Sequence, residues 1–339
     1  MGYNSYKRLS VRPHVVVIGG GTGLSVLLKG LKKKPVDITA IVTVADDGGG
    51  SGMLRDDYGI LPPGDVRNCI LALADEETVM EQLLQHRFVS GRLEGQNMGN
   101  LFIAALTEIY GDFEIAVEKL HELLRIEGKV VPVTLSDITL CAELKNGENV
   151  RGESSIPQNV TQQASLIKKV YLDPPDTYAS DSALMALRKA DMIVLGPGSL
   201  YTSIIPNLLV GGISSEIVSS SATKVFICNV MTQPGETDGY TVADCISAVS
   251  HYLGNNVIDY VIANSKRCTA EELAPYFAEG GHQMCPDDND KMILGDMKLE
   301  IISGNFVKVC DGKIRHDEDR LASTLAELLG ICQEDEENM

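Results

Sequence analysis

No apolar run in the 339-residue chain approaches the roughly 18–20 residues needed to cross a bilayer. Met1 to Pro13 contains no signal-type apolar segment either. The sequence is therefore read as cytoplasmic and without membrane insertion. Basic residues are also scarce: 29 Lys and Arg stand against 47 Asp and Glu, a formal charge of −18. Such a surface repels phosphate backbones and anionic headgroups, which argues against a sequence-independent grip on nucleic acid. A small anionic ligand stays admissible, because helix N-termini and a few local cations can hold one.

Several chemical signatures are missing as well. The eight cysteines, Cys69, Cys141, Cys228, Cys245, Cys268, Cys285, Cys310 and Cys332, form no Cys-x-x-Cys pair. Buried reduced thiols are expected, not zinc or disulfides. The six histidines show no metal-ligand spacing. No glycine loop is followed by Gly-Lys-Ser/Thr, which argues against a P-loop nucleoside triphosphatase, and no Gly-x-Ser-x-Gly elbow announces a hydrolase. What the chain does have is 44% apolar residues, enough for one large domain or two smaller ones.

The richest stretch runs from His14 to Asn68. An apolar run, Val15 to Ile18, meets Gly19, Gly20, Gly21, Thr22 and Gly23, and then helical spacing through Leu24, Leu27, Leu28 and Leu31. A strand ends there and a helix begins. Glycines at that junction allow a tight turn and let a pyrophosphate approach the free N–H groups of the helix. The match to a dinucleotide fingerprint is only near, because Leu24 stands at its third glycine position.

A second β-branched run, Asp37 to Val44, leads into Ala45, Asp46, Asp47, Gly48, Gly49, Gly50, Ser51 and Gly52. An acid at the tip of a second strand is where a dinucleotide fold holds its ribose hydroxyls, and two adjacent carboxylates also suit Mg²⁺ on phosphates. Ser51 and Gly52 read as a second anion nest. In the third turn, Pro62 to Asn68, Asp65 is placed to cap a helix while Arg67 and Asn68 reach the same crevice.

Helical spacing then covers Asp75 to Phe88, Asn97 to Tyr110 and Asp112 to Leu124, a helical insertion at about 75–125. Asn97 and Asn100 open the second of these, one as a cap and the other free to donate to a ligand. A small antiparallel element is expected near 130–155, where Asn146-Gly147 signals a hairpin. Strand and helix then alternate: Lys168 to Pro174, a helix Ala179 to Lys189, Met192 to Leu195, a helix Asn207 to Ser219, and Thr223 to Val230. A helix Val242 to Leu253 and the strand Val257 to Asn264 follow. The pattern predicts a doubly wound, mostly parallel sheet with its crevice beyond the carboxyl ends of the strands. The residues just past those ends are polar or glycine: Gly198 and Ser199, Asn229 with Thr232 and Gln233, and Asn264. Ser199 is expected to cap a helix. A short helix ending near Tyr276, weak strands at Leu299 to Ile302 and Phe306 to Val309, and a helix Asp317 to Leu329 complete the chain, with flexible ends expected at 1–12 and 333–339.

The segments GGGTGLSVLLKGL, TVADDGGGSG, PPGDVRN, GQNMGN, GPGSLYTSIIPNLLV, NVMTQPGETDGYT and IDYVIANS, taken in order, resemble the gluconeogenesis-factor branch of the CofD-like superfamily over about residues 13 to 330. The resemblance implies one Rossmann-like, three-layer α/β domain. It also implies two functions. A distant enzyme branch uses Mg²⁺ and a nucleoside-diphosphate-activated donor to transfer 2-phospho-L-lactate to a deazaflavin precursor. The nearer branch binds UDP-sugars, notably UDP-N-acetylglucosamine, and supports cell shape and wall synthesis during gluconeogenic growth.

By the same resemblance, Gly21 to Gly23 and Ser51 to Gly52 would hold phosphates, with Asp46 and Asp47 beside the ribose or metal. Asn229, Asn264, Tyr276 and Arg315 would line the nucleotide-sugar side, Arg315 supplying a fixed positive charge. The chain reads GGGSG where the family pattern is GGSSG, so Gly50 removes one hydroxyl. A regulatory UDP-sugar sensor is the preferred reading, as a homo-oligomer with wall-synthesis or regulatory proteins as partners. An Mg²⁺-dependent transferase and an NAD-binding protein are the alternatives.

Overall fold

The apolar run after Pro13 forms β1, His14–Gly19, and the glycine turn leads directly into α1, Gly21–Leu31. Val15 to Ile18 are fully buried, and each such side chain contributes about 1.5–3 kcal/mol by leaving water. The structure, a computed structural model, describes residues 12–74 and 79–331. The expected flexible ends at 1–12 and 333–339 therefore lie almost wholly outside the described residues.

β2, Asp37–Val42, is followed by α2, Gly49–Tyr58, and α3, Gly64–Leu73. The Gly49–Gly52 stretch, expected as an open turn, is the first turn of α2. Its glycines permit close packing there: a Cβ on Gly50 would lie 3.1 Å from the Gln96 side chain. The helical insertion comprises α4, Val79–Gln85, α5, Met98–Tyr110, and α6, Phe113–Leu124. The expected helix start at Asp75 lies outside the described residues, and α4 stops short of Phe88.

β3, Lys129–Pro132, returns to the main sheet. β4, Thr139–Leu144, and β5, Asn149–Arg151, form the hairpin around Asn146-Gly147. α7, Ile156–Gln163, precedes β6, Ile167–Asp173, which pairs antiparallel with β4. β6, expected among the alternating strands of the main sheet, is a member of the small antiparallel sheet instead. Its exposed Lys168 and Lys169 explain why: a strand buried on both faces has no place for them.

α8, Asp181–Lys189, is capped by Ser180, and β7, Met192–Leu195, follows it. A π-helical turn, Leu200–Ile204, leads to α9, Ile205–Leu209, and α10, Ile213–Ser219. The single helix expected over 207–219 is interrupted at Gly211-Gly212, where Gly212 has a φ of +98°. Next come β8, Thr223–Ile227, α11, Val242–Leu253, β9, Tyr260–Asn264, α12, Ala270–Ala278, and α13, Asp288–Asp296. β10, Glu300–Gly304, joins the main sheet; β11, Val307–Cys310, and β12, Lys313–His316, make a separate hairpin before α14, Glu318–Leu328.

The seven-stranded main sheet has the order β3-β2-β1-β7-β8-β9-β10, with every neighbouring pair parallel. α1 packs with α3 and α14, while α8, α10 and α11 pack in series on the other face. This is a three-layer, Rossmann-like α/β arrangement. Strand order reverses between β1 and β7, so a crevice opens beyond their carboxyl ends. The seven described cysteines are unpaired; four are buried, whereas Cys310 is exposed and departs from the expectation of burial.

Candidate functional site at the strand switch point

The two turns that leave β1 and β7 meet at the switch point. The Gly196 N–H donates to the Ile18 carbonyl at 2.9 Å, and a Cβ on Gly23 would lie 2.7 Å from the Pro197 carbonyl oxygen. Only glycine allows this approach. Gly21 also has a φ of +68°. α1 has no side-chain N-cap and no acid in its first turn, so its positive end faces an open cavity of about 370 Å³.

Gly20, Gly21, Thr22 and Gly23 form one wall of that cavity. Gly198 and Ser199 form the next, held from behind by the loop that follows β8. Asn229 grips Gly198 at both ends: its Oδ1 accepts from the Gly198 N–H at 3.3 Å, and its Nδ2 donates to the Gly198 carbonyl at 2.8 Å. Gln233 donates to the Ser199 hydroxyl at 2.6 Å. Ser199 therefore does not cap the turn that follows it; its hydroxyl belongs to this network. Thr232 also lines the cavity, but its hydroxyl accepts from the His282 N–H at 2.8 Å.

The far wall comes from β12 and α12. Tyr276 lines it with its ring while its hydroxyl accepts from the Ile314 N–H at 2.8 Å, fixing the strand that carries Arg315. Arg315 is half-buried and has no ion pair among the described residues. Beside it His316 is 8% exposed, and both ring nitrogens lack a partner. Burial lowers its pKa to about 4, so it is neutral near pH 7. The sequence reading missed β12 as a strand and with it His316. It also missed Met231, Ser203 and Glu279 in the lining. Met231 and Ser203 lie in motifs that were singled out, but nothing in the local pattern marked those positions.

The remaining expected residues lie elsewhere. Asp46 accepts from the Gly48 N–H at 2.9 Å and Asp47 from the Ser154 N–H at 2.9 Å. Ser51 is buried and its hydroxyl accepts from Asn100 at 3.4 Å, while the Gly52 N–H donates to the Gly48 carbonyl within α2. The expected second anion nest is thus replaced by helical hydrogen bonding. Asn97, not Asn100, caps α5, and Asn100 is held between Ser51 and Arg67 and not free for a ligand. Asn264 is buried and accepts from the Phe306 N–H at 3.2 Å, bracing the end of β9 and not the cavity.

Asp65 is not a cap, since Pro63 holds that position without a side-chain bond. Its carboxyl instead reaches the glycine turn: a Cβ on Gly20 would lie 2.6 Å from Oδ2, and the carboxyl accepts from the Gly21 backbone. Burial and the nearby Asp46 push its pKa up to about 6. Two acids that the sequence reading did not identify belong to the same neighbourhood. Glu153 is pushed up to about 8 by burial and by Asp46, Glu236 and Asp47. Glu236 is raised to about 7 by burial, although it accepts from the Thr202 hydroxyl at 3.1 Å and the Tyr201 N–H at 3.3 Å. Among the described residues no three His, Cys, Asp or Glu side chains are grouped to hold a metal. A single Mg²⁺ could still take one or two of these carboxylates together with ligand phosphates.

The sequence profile of the family described as 2-phospho-L-lactate transferase CofD matches residues 15–307. The chain belongs to the CofD family. It is 47% identical to the gluconeogenesis factor of Bacillus subtilis over 94% of this chain and 98% of that one. It is 42% identical to the gluconeogenesis factor of Listeria monocytogenes, covering 94% of this chain and 96% of that one. A crystal structure of a UPF0052 family member from Bacillus halodurans superposes with a TM-score of 0.88 at 46% identity, covering 92% of this chain and 99% of that one. The switch-point crevice is therefore carried on a CofD-family fold. No described helix is long and apolar enough to cross a membrane.

Proposed function

We propose that this CofD-family chain is a cytoplasmic nucleotide-sugar-binding factor. Its crevice would take a UDP-sugar, with UDP-N-acetylglucosamine the preferred ligand, and its output would be regulatory, in support of cell shape and wall synthesis during gluconeogenic growth. Residues 13–330 would act as one domain. The observation that carries this reading is the facing of two anion-seeking features across one cavity: the start of α1, with no N-cap side chain and no acid in its own first turn, and the Arg315 guanidinium, without an ion pair among the described residues. A diphosphate can span them, the Tyr276 ring offers an apolar face beside it, and His316 stands next to the cation. The gluconeogenesis-factor names of the bacterial relatives support the physiological part.

Titration calorimetry with UDP-N-acetylglucosamine tests it. Arg315→Ala is expected to weaken binding about tenfold or more, the usual loss when a charge-assisted contact is removed. Absence of binding to the unaltered protein, or equal affinity of the variant, counts against the reading. A stronger melting shift with NAD(H) than with the UDP-sugar would favour the dinucleotide alternative. The transferase alternative draws on Asp46 and Asp65, which lie close enough to interact behind the glycine turn. There they would hold Mg²⁺ as a Lewis acid for the ligand phosphates. Asp47, turned toward Ser154, fits that role less well than expected. Mg²⁺-dependent release of a nucleoside phosphate in the presence of an acceptor extract would select it.

A further inference from the structure

Arg67 and Asn68, expected at the crevice, line a different cavity of about 290 Å³ formed with α1, α4 and the start of α5. The Arg67 side chain is 8% exposed. One terminal nitrogen donates to Asn100 Oδ1 at 2.5 Å and the other to Asn68 Oδ1 at 2.6 Å. Both acceptors are neutral amides, and no carboxylate of the described residues forms an ion pair with this guanidinium. Asp65 and Asp46 favour its charge without pairing with it, yet burial still lowers its pKa to about 10, so the buried guanidinium is incompletely compensated.

The surroundings make the imbalance larger. Arg87 also lines the cavity, and its charge disfavours that of Arg67. Lys29, from the last turn of α1, is exposed at the same cavity and has no ion pair among the described residues. Arg87 donates to the Gly95 carbonyl at 2.6 Å, which holds its head in place without neutralising it. Glu81 is the one carboxylate among the described lining residues, and it accepts from Gln85 at 2.8 Å. Ser25, Asn68 and Asn97 complete the polar lining. Among the described lining residues three cations stand against one acid, in a chain of net charge −18.

We propose that this cavity is a second ligand site, for a compact phosphate-bearing anion held by Arg67, Arg87 and Lys29. Two guanidiniums at one cavity suit the paired oxygens of a phosphate better than a single ammonium does. The volume lies at the small end of ligand pockets, which fits a phosphate monoester of a few carbons and not a nucleotide. A purely structural brace between α3 and α5 would need Arg67 alone; it gives no reason for Arg87 and Lys29 to converge on the same space. The inference does not depend on what the switch-point crevice binds.

The probe is glycerol 3-phosphate, titrated calorimetrically against the full chain, with glycerol and with potassium chloride at equal ionic strength as controls. Saturable binding is expected with the phosphate ester alone. The paired substitution Lys29→Ala with Arg87→Ala changes exposed side chains and leaves the fold intact by melting temperature. It is expected to weaken that binding about tenfold. Arg315→Ala, in the other cavity, is expected to leave it unchanged. No saturable binding, a loss under about threefold in the paired variant, or a greater loss in Arg315→Ala than in the paired variant overturns the proposal.

Discussion

The two sides of the first glycine turn differ in charge. Toward the cavity it presents the start of α1, Ser199, the Tyr276 ring and Arg315. Away from it lie Asp65 and Asp46, with Glu153 and Glu236 beyond, three of the four carrying raised pKa values. Asp65 joins the two sides, because its carboxyl accepts from the Gly21 backbone. The turn is therefore shared between a side-chain carboxylate and any ligand phosphate. An anion seated on α1 is favoured when the acids behind it are protonated or matched by a cation. The electrostatic character of the crevice depends on what stands behind its glycines as much as on the glycines themselves.

The largest expected effect comes from forcing the two sides apart. A Cβ at Gly23 would meet the Pro197 carbonyl oxygen at 2.7 Å, and the atoms it meets belong to backbone that cannot swing away. Gly23→Val is expected to cost about 3 kcal/mol by overpacking. It should also abolish UDP-sugar binding, since the β1 and β7 turns no longer close. Urea unfolding and calorimetry on the same preparation check both. A variant that unfolds like the parent chain and binds normally would show that the contact is not a constraint.

How much of this was legible beforehand follows from particular residues. The β1–α1 junction was readable because its apolar runs have unambiguous periods and its glycines interrupt them. α2 was not, since Gly49-Gly50-Ser51-Gly52 has poor helix propensity and becomes helical through tertiary packing against Gln96 and Asp47. The placement of Arg67 was recoverable in principle. Two residues along a helix turn a side chain by about 200°, so Asp65 and Arg67 cannot both face one crevice. Glu153 and Glu236 sit in short polar turns whose burial arises only when β4–β5, the π-helical turn and the glycine turns converge. That convergence is non-local, and sequence periodicity carries no information about it.

A pH series sharpens the contrast next. Glu236, 4% exposed, has its pKa raised to about 7 by burial, above that of the unfolded chain. The folded state therefore holds a proton that the unfolded state releases first. Its contribution is fully present below about pH 4.5 and is lost as pH rises through about 7. Glu153 extends the loss to about pH 8, and Asp65 adds to it as pH rises from about 4 to about 6. Unfolding free energy should thus fall from about pH 5 to pH 8, with Glu236 responsible for roughly 2 kcal/mol. Glu236→Gln removes its share and flattens the curve. An unchanged slope would mean that water or a cation already offsets the Glu236 charge.

The smallest effect separates charge from hydrogen bonding on the acidic side. Asp47 accepts from the Ser154 N–H at 2.9 Å, and its charge helps raise the pKa of Glu153. Asp47→Asn keeps an acceptor for Ser154 and removes the charge. It should leave stability at pH 5 unchanged and raise it at pH 8 by less than about 1 kcal/mol, because Glu153 then ionises at smaller cost. Asp47→Ala removes both, and is expected to lose about 1 kcal/mol at either pH. Equal behaviour of the two variants across the pH range would assign Asp47 a purely structural part. It would also leave burial, Asp46 and Glu236 as the whole cause of the Glu153 shift.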